Sequence, residues 1–213
     1  MNEIITLVMD RLRKNRMATD YVATKEEAVN LVKQLIPEGS KVACGGSVSL
    51  AESGVIDLLK SGNYTYFDRS DPNATPEQRE IATRAGATAD VYLCSSNAVT
   101  HNGELYNVDG NCNRISSIAY GPQKVIMVVG INKIVPDLEA AIHRVKTIAA
   151  PKNSKRLHCD TYCYNTGVCF GVDGKMTDGC ASPSRICCNY LISAYQRHPD
   201  RIHVILVGES LGY

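Results

Sequence analysis

Apolar residues recur along the chain in two rhythms, one helical and one extended, and the rhythms alternate. Ile4, Leu7, Val8 and Leu12 share one helical face and predict a helix over residues 3 to 15. Tyr21-Val22-Ala23 reads as a short strand. Thr24 followed by Glu27 is a capping-box signal, and Ala28, Leu31, Val32 and Leu35 give the helix behind it an apolar face that ends at Pro37-Glu38-Gly39. Lys41 to Cys44 is extended and runs through Gly45-Gly46-Ser47 into a helix expected to continue to Lys60. The pattern then gives a strand at 64 to 67, a helix at about 76 to 86 and a strand from Asp90 to Ser95.

Asn102-Gly103 between two extended runs is the strongest short-range hairpin signal in the chain. Lys124 to Val129 is continuously apolar after its first residue, as expected of an interior strand covered on both faces. Helices are predicted at 136 to 149 and 183 to 197, and a last strand from Arg201 to Val207. Strands alternating with helices imply parallel crossovers, so the expected fold is α/β, a mostly parallel doubly wound sheet with helices on both faces. No internal repeat or low-complexity linker divides residues 1–213, which are read as one domain carrying an irregular cysteine-rich segment at 158–188.

Composition narrows the functional classes. Lys plus Arg total 23 against 22 Asp plus Glu, a net charge of +1, so no concentrated basic excess argues for nucleic acid. No run of about 18 apolar residues suggests a membrane span, and the apolar stretch after Glu3 is broken at Asp10 and Arg11, unlike a secretory signal. A cytoplasmic protein is expected. In a reducing compartment nine cysteines are poor candidates for structural disulfides, and six of them fall between Cys159 and Cys188.

Their spacing is Cys159-x3-Cys163-x5-Cys169-x10-Cys180-x6-Cys187-Cys188, without the C-x2-C pairs common in zinc sites. Thiolates converging from one loop would suit tetrahedral zinc or an iron–sulfur cubane, the alternative being buried free thiols. Cys163, Cys169, Cys180 and Cys187 are the candidate ligands, with Cys159 in reserve and Cys188 expected on the adjoining helix. Such a centre would offset the ordering entropy of a long loop with little apolar content.

Two other segments carry chemistry. Gly45-Gly46-Ser47 lies where a strand feeds a helix, a place where backbone amides can cradle an anion, although a plain turn with a serine cap has the same letters. Glu52 follows in the same helix. Between residues 97 and 114, Asn97, Asn107, Asp109, Gly110, Asn113 and Arg114 are too polar for a core and are candidate ligand contacts. Glu104 in the hairpin and Glu52 are the candidate acid–base or nucleophilic groups. Asn132 and Lys133, just past the most apolar strand, could hold an acidic group or merely solubilise a loop.

Taken together, several motifs resemble the lactate-utilisation (LUD) domain family. They are Gly45-Gly46-Ser47 with Glu52, Asn97-Ala98-Val99-Thr100, Asn107-x-Asp109-Gly110-x-x-Asn113-Arg114, Gly121-Pro122-x-Lys124 and Val129-Gly130-x-Asn132-Lys133. Cys163-x3-Gly167-x-Cys169, Ser182-Pro183-x-Arg185-Ile186-Cys187 and Val207-Gly208-Glu209-x-Leu211-Gly212 resemble its shorter members, with a departure in the insertion-like stretch Phe170 to Thr177. The resemblance implies a fold like sugar-phosphate isomerases and CoA-transferases and a link to lactate or related organic-acid oxidation. A small anionic metabolite and redox partner proteins follow as expected partners, with a [4Fe–4S] cluster favoured over zinc at the cysteines. Because a fold does not fix a reaction, two readings stand: an acid-binding enzyme or enzyme subunit, and a non-catalytic electron-transfer or accessory module.

Overall fold

The computed structural model describes residues 2–213. The first half builds the chain's main sheet. Helix α1 (Glu3–Lys14) buries Ile5, Val8, Met9 and Leu12 and leads to β1 (Ala18–Val22). Helix α2 (Lys25–Leu35) starts at Thr24, whose hydroxyl accepts the Glu27 N–H, while the Glu27 carboxylate reaches back to the Ala23 N–H. Strand β2 (Lys41–Cys44) precedes two one-turn helices, α3 (Val48–Glu52) and α4 (Val55–Leu59). The sequence predicts one helix there; Gly54 at φ +83° interrupts it, a conformation glycine enters without penalty. Then come β3 (Thr65–Phe67), α5 (Pro76–Arg84) and β4 (Val91–Cys94).

The hairpin follows as β5 (Ala98–Thr100) and β6 (Leu105–Asp109), then α6 (Asn113–Ala119), β7 (Lys124–Gly130) and the two-residue β8 (Ile134–Val135). Helix α7 (Leu138–Arg144) passes through a π-helical turn, Val145–Ala149, into α8 (Ala150–Arg156). The wide turn precedes Pro151, which has no N–H to return to the preceding turn. A single turn, α9 (Tyr162–Thr166), is the one regular piece of the cysteine segment. Strands β9 (Asn189–Ser193) and β10 (Ile202–Val207) complete the chain.

Six strands form an all-parallel sheet in the order β1-β10-β7-β4-β2-β3. Strand β7 is interior, as its apolar run predicts: Val125, Met127 and Val129 join the core shared with α1, and Ile126 and Val128 the core shared with α2, α3 and α4. The layout is α/β with helices on both faces, consistent with Rossmann-like and CoA-transferase-like sheets.

A second, four-stranded sheet, β8-β5-β6-β9, was not foreseen, and it corrects the helix expected at 183 to 197. Residues 183 to 188 are irregular, and Asn189 to Ser193 pair antiparallel with β6 along its whole length. Tyr190, Leu191 and Ile192 favour a pleated surface, and an open sheet edge outweighs a short, ambiguous helical pattern. Cys188 therefore stands beside a strand, its N–H donating to the Asp109 carbonyl. Among the described residues no helix is long and apolar enough to cross a membrane.

Candidate functional site

A cavity of about 390 Å³ opens at the carboxyl ends of β2, β4 and β7, where parallel sheets ordinarily bind ligands. Gly46, Ser47, Asn97, Asp109, Gly110 and Asn113 line it, as do Arg114 and Lys133. The glycine turn, the polar segment after the hairpin and the loop after β7 thus share one mouth.

Arg114 and Asp109 frame one wall. The Arg114 guanidinium donates to Asp109 Oδ1 (Nε, 2.9 Å), the Ser95 carbonyl (3.1 Å), Asn97 Oδ1 (2.9 Å) and the Val108 carbonyl (3.0 Å), and also to Asn107 Oδ1. These five contacts use all five of its N–H donors. Asp109 Oδ2 meanwhile accepts the N–H groups of Arg114 and Ile115 at the start of α6. Gly45 makes the arrangement possible: a Cβ there would stand 3.0 Å from the Tyr92 hydroxyl and 3.2 Å from Arg114 Cδ. Gly45 and Asn107 therefore act behind the wall, and Asn107 is fully buried with its Nδ2 unpaired.

Lys133 forms the floor. It is 3% exposed, and its Nζ donates to Ser49 Oγ (2.7 Å) and Ser95 Oγ (3.1 Å), with no carboxylate in ion-pair contact among the described residues. Burial pushes its pKa down to about 7, helped by the nearby Arg144 and Arg114 cations and opposed by Glu52 and Cys94. Arg144 is itself buried and held by the carbonyls of Asn97 (2.7 Å) and Asn132 (3.3 Å).

Charge at the cavity is one-sided. Arg69, Arg114, Lys133, Arg156 and Arg185 line it, against Asp109 as the one acidic residue. Arg156 is exposed at the rim, anchored by Asn153 and the Tyr213 hydroxyl, with its Nη2 3.9 Å from where a Gly46 Cβ would be. Ser49 and Ser95 belong to the two polar segments of the sequence without being singled out as site residues, and Arg69 and Arg156 lie outside both. Ser95 sits just past β4 and Ser49 in the first turn of α3, so both were open to the strand-end argument, whereas nothing in the letters marks Arg69 or Arg156.

Other candidates are engaged otherwise. Ser47 lines the cavity, but its hydroxyl is spent on capping α3 through the Leu50 N–H (3.3 Å), and a one-turn helix supplies little dipole for an anion. Asn132 anchors residues 211 and 212, accepting the Leu211 N–H and donating to the Gly212 carbonyl. Glu52 accepts the Gly212 N–H (2.6 Å), and Glu104 accepts the Thr100 hydroxyl (2.6 Å) in the hairpin; neither lines the cavity.

The cysteines form a second locus. Cys163, Cys169, Cys180 and Cys187 line one small apolar cavity of about 10 Å³ with Phe170 and Ile186. Cys159 and Cys188 lie outside it, their thiols directed at the Leu157 and Arg185 carbonyls. Arg185 fastens this loop, donating to the carbonyls of Cys187 (3.0 Å), Cys180 (3.2 Å) and Thr177 (2.8 Å). Burial raises the Cys187 pKa, with Arg185 opposing and Cys169 and Cys180 adding to the rise. Lys146 holds the insertion from below: its ammonium donates to the carbonyls of Gly171 (2.5 Å), Gly174 (3.2 Å) and Lys175 (2.5 Å). The donor chemistry fits a thiolate-bound ion, but among the described residues no three Cys, His, Asp or Glu groups stand as a ready-made ion site.

Comparison with curated proteins gave no match. Among solved structures, the chain is similar to a DUF162-family protein from Deinococcus radiodurans, with 15% identity over 96% of each chain and a TM-score of 0.54. That likeness concerns the fold alone. The family described as LUD domain matches residues 5–207. The chain therefore belongs to the LUD-domain family, a membership that suggests a role related to lactate utilisation.

Proposed function

We propose that this protein binds a small organic-acid metabolite, of the lactate and pyruvate class or a phosphorylated relative, in the cavity at the carboxyl ends of β2, β4 and β7. The observation that carries the reading is the pairing of a one-sidedly cationic lining with a buried lysine that has no carboxylate partner. An unpaired buried charge is costly, and an incoming carboxylate or phosphate would supply the missing counter-charge. Arg114 serves as scaffold, since its donors are spent; Arg69 and Arg156 are the cations left to meet a ligand, and Lys133, with a pKa lowered to about 7, exchanges its proton at the same mouth. Glu52 and Glu104 drop behind as acid–base candidates because both are engaged outside the cavity. Calorimetric titration with lactate, pyruvate and phosphate tests this. Saturable binding that is lost in K133M is expected, and no saturable binding of any of the three would overturn it.

A second reading concerns the cysteines, favoured by four of them lining one cavity. Cys163, Cys169, Cys180 and Cys187 would hold a metal centre, and such a centre would supply folding energy to the loop or a route for electrons. The family resemblance favours a [4Fe–4S] cluster at these thiols, with zinc as the alternative. Metal analysis of protein purified without oxygen decides it: a brown iron-bearing sample is expected, one zinc per chain reverses the order, and metal-free protein ends the reading.

A further inference from the structure

The Lys133 ammonium has three N–H donors, but only two acceptors, Ser49 Oγ and Ser95 Oγ, meet it. Ser49 spends its own proton on the Leu211 carbonyl (3.1 Å), so it can only accept from Nζ. Ser95 Oγ has no other hydrogen-bond partner among the described residues and can accept from an ammonium or donate to a neutral amine. Both hydroxyls can accept from an ammonium, and Ser95 Oγ can instead donate to the lone pair of a neutral amine, so the site accommodates the uncharged form as readily as the charged one. An uncharged Nζ lining a cavity is a nucleophile, and the cations around it attract compounds carrying an acidic group.

From this geometry we infer that Lys133 captures an anionic carbonyl compound, a 2-oxo acid or a phosphorylated ketone or aldehyde, as a Schiff base on Nζ. The inference rests on the anion-binding reading of the same cavity. In the step, the Nζ lone pair adds to the carbonyl carbon while the C=O π pair moves to oxygen. That oxygen takes up a proton as nitrogen gives one up, with Ser95 Oγ within reach to relay it. The resulting carbinolamine loses its oxygen as water, using the second proton of the amine, and leaves C=N. No oxidant, reductant or metal enters the balance. The groups facing Nζ agree with the neutral form: Arg144 beyond β8 and Arg114 on α6 disfavour the ammonium, while Glu52 on α3 and Cys94 on β4 oppose them more weakly than burial. Arg69 and Arg156, which both line the cavity, are placed to hold the acidic end.

The test is reductive trapping of the full chain with pyruvate and sodium borohydride, read by intact mass and peptide mapping, with pyruvate calorimetry on the same sample. One adduct per chain at Lys133 is expected, absent from K133Q, with a yield that rises several-fold from about pH 6 to about pH 8 as the amine loses its proton. Saturable pyruvate binding without an adduct would overturn the Schiff base and leave the anion site standing. Neither binding nor adduct would overturn both. Labelling spread over surface lysines and unchanged in K133Q would also overturn it.

Discussion

Asp109 and Arg114 are bound to each other twice over. The carboxylate lies 2.7 Å from Arg114 Nη2 and also accepts the Arg114 backbone N–H at 3.0 Å, so one residue holds both the head and the root of the other. The pair sits between the last strand of the hairpin and the start of α6, and the side chains are 8% and 13% exposed. Its geometry sets the shape of the cavity wall.

Arg114→Lys should consequently lower stability by about 3 kcal/mol, in the range for breaking a buried pair, because an ammonium cannot span the five acceptors. Urea denaturation measures the loss. Full stability with anion binding abolished would instead make Arg114 a direct ligand contact.

Lys133→Met should stabilise the protein, most strongly at low pH. The folded pKa of about 7 lies below the unfolded value of 10.5. Below about pH 7 both states carry the proton, so the folded state bears the whole penalty of a buried ammonium. Between those pKa values the unfolded state holds one proton more, and wild-type stability climbs by about 1.4 kcal/mol per pH unit, all else equal. Denaturation of both proteins at about pH 6 and about pH 9 should show the advantage of the methionine shrinking with pH. A constant difference would mean that Lys133 does not titrate in that window.

Much of this was legible in the letters, for identifiable reasons. The apolar run through Met127, buried on both sides, and the Asn102-Gly103 turn each have one strong physical reading. The polar cluster at 107 to 114 pointed to the cavity but not to the division of labour within it. That Arg114 is saturated, while Lys133 meets only two partners, depends on Ser95 and Asn97 arriving from the connection between β4 and β5. The second sheet was hidden because β9 is made by pairing with β6, and Tyr190 to Ile192 carry little pattern of their own. Lys146 lies within the helix predicted at 136 to 149 with no mark of its own, since nothing local shows that three loop carbonyls converge on it.

Gly103→Ala should be costly although it lies away from the cavity. Gly103 has φ +76°, and an added Cβ would stand 2.8 Å from the backbone of Arg11 and Leu12 in α1. A loss on the order of 2 kcal/mol is expected from strain and displacement of the hairpin. Thermal melting should show it while pyruvate affinity per folded molecule stays unchanged. An unshifted melting curve would mean that the hairpin is not held against α1.

Lys146→Met should loosen the insertion between Cys169 and Cys180. The three carbonyls it serves would lose their shared donor, and Gly174 and Lys175, already exposed, would turn to water instead. Limited proteolysis should cut within residues 171 to 178 several-fold faster, and Cys169, now 7% exposed, should react faster with a thiol reagent. Unchanged rates at both would show that the loop is held by Arg185 alone.

The two cavities share a wall, and that makes their occupants interdependent. Arg185, Ile186 and Cys187 line both, and the Ile186 backbone lies 3.3 Å from where a Gly110 Cβ would be, directly beside Asp109. The Cys188 N–H bond to the Asp109 carbonyl (3.0 Å) ties the same loop to the Arg114 pair. A change at the cysteine sulfurs, whether metal loss or oxidation, cannot shift residues 185 to 187 without shifting the cationic mouth. Pyruvate affinity should therefore change several-fold between protein as purified and protein treated with chelator or mild oxidant. Cys187→Ser should show the altered affinity from the start and respond little to treatment, whereas Cys188→Ser, whose thiol lies outside the small cavity, should keep the response. Equal affinities in every state would mean that the shared wall is rigid and the two sites work independently.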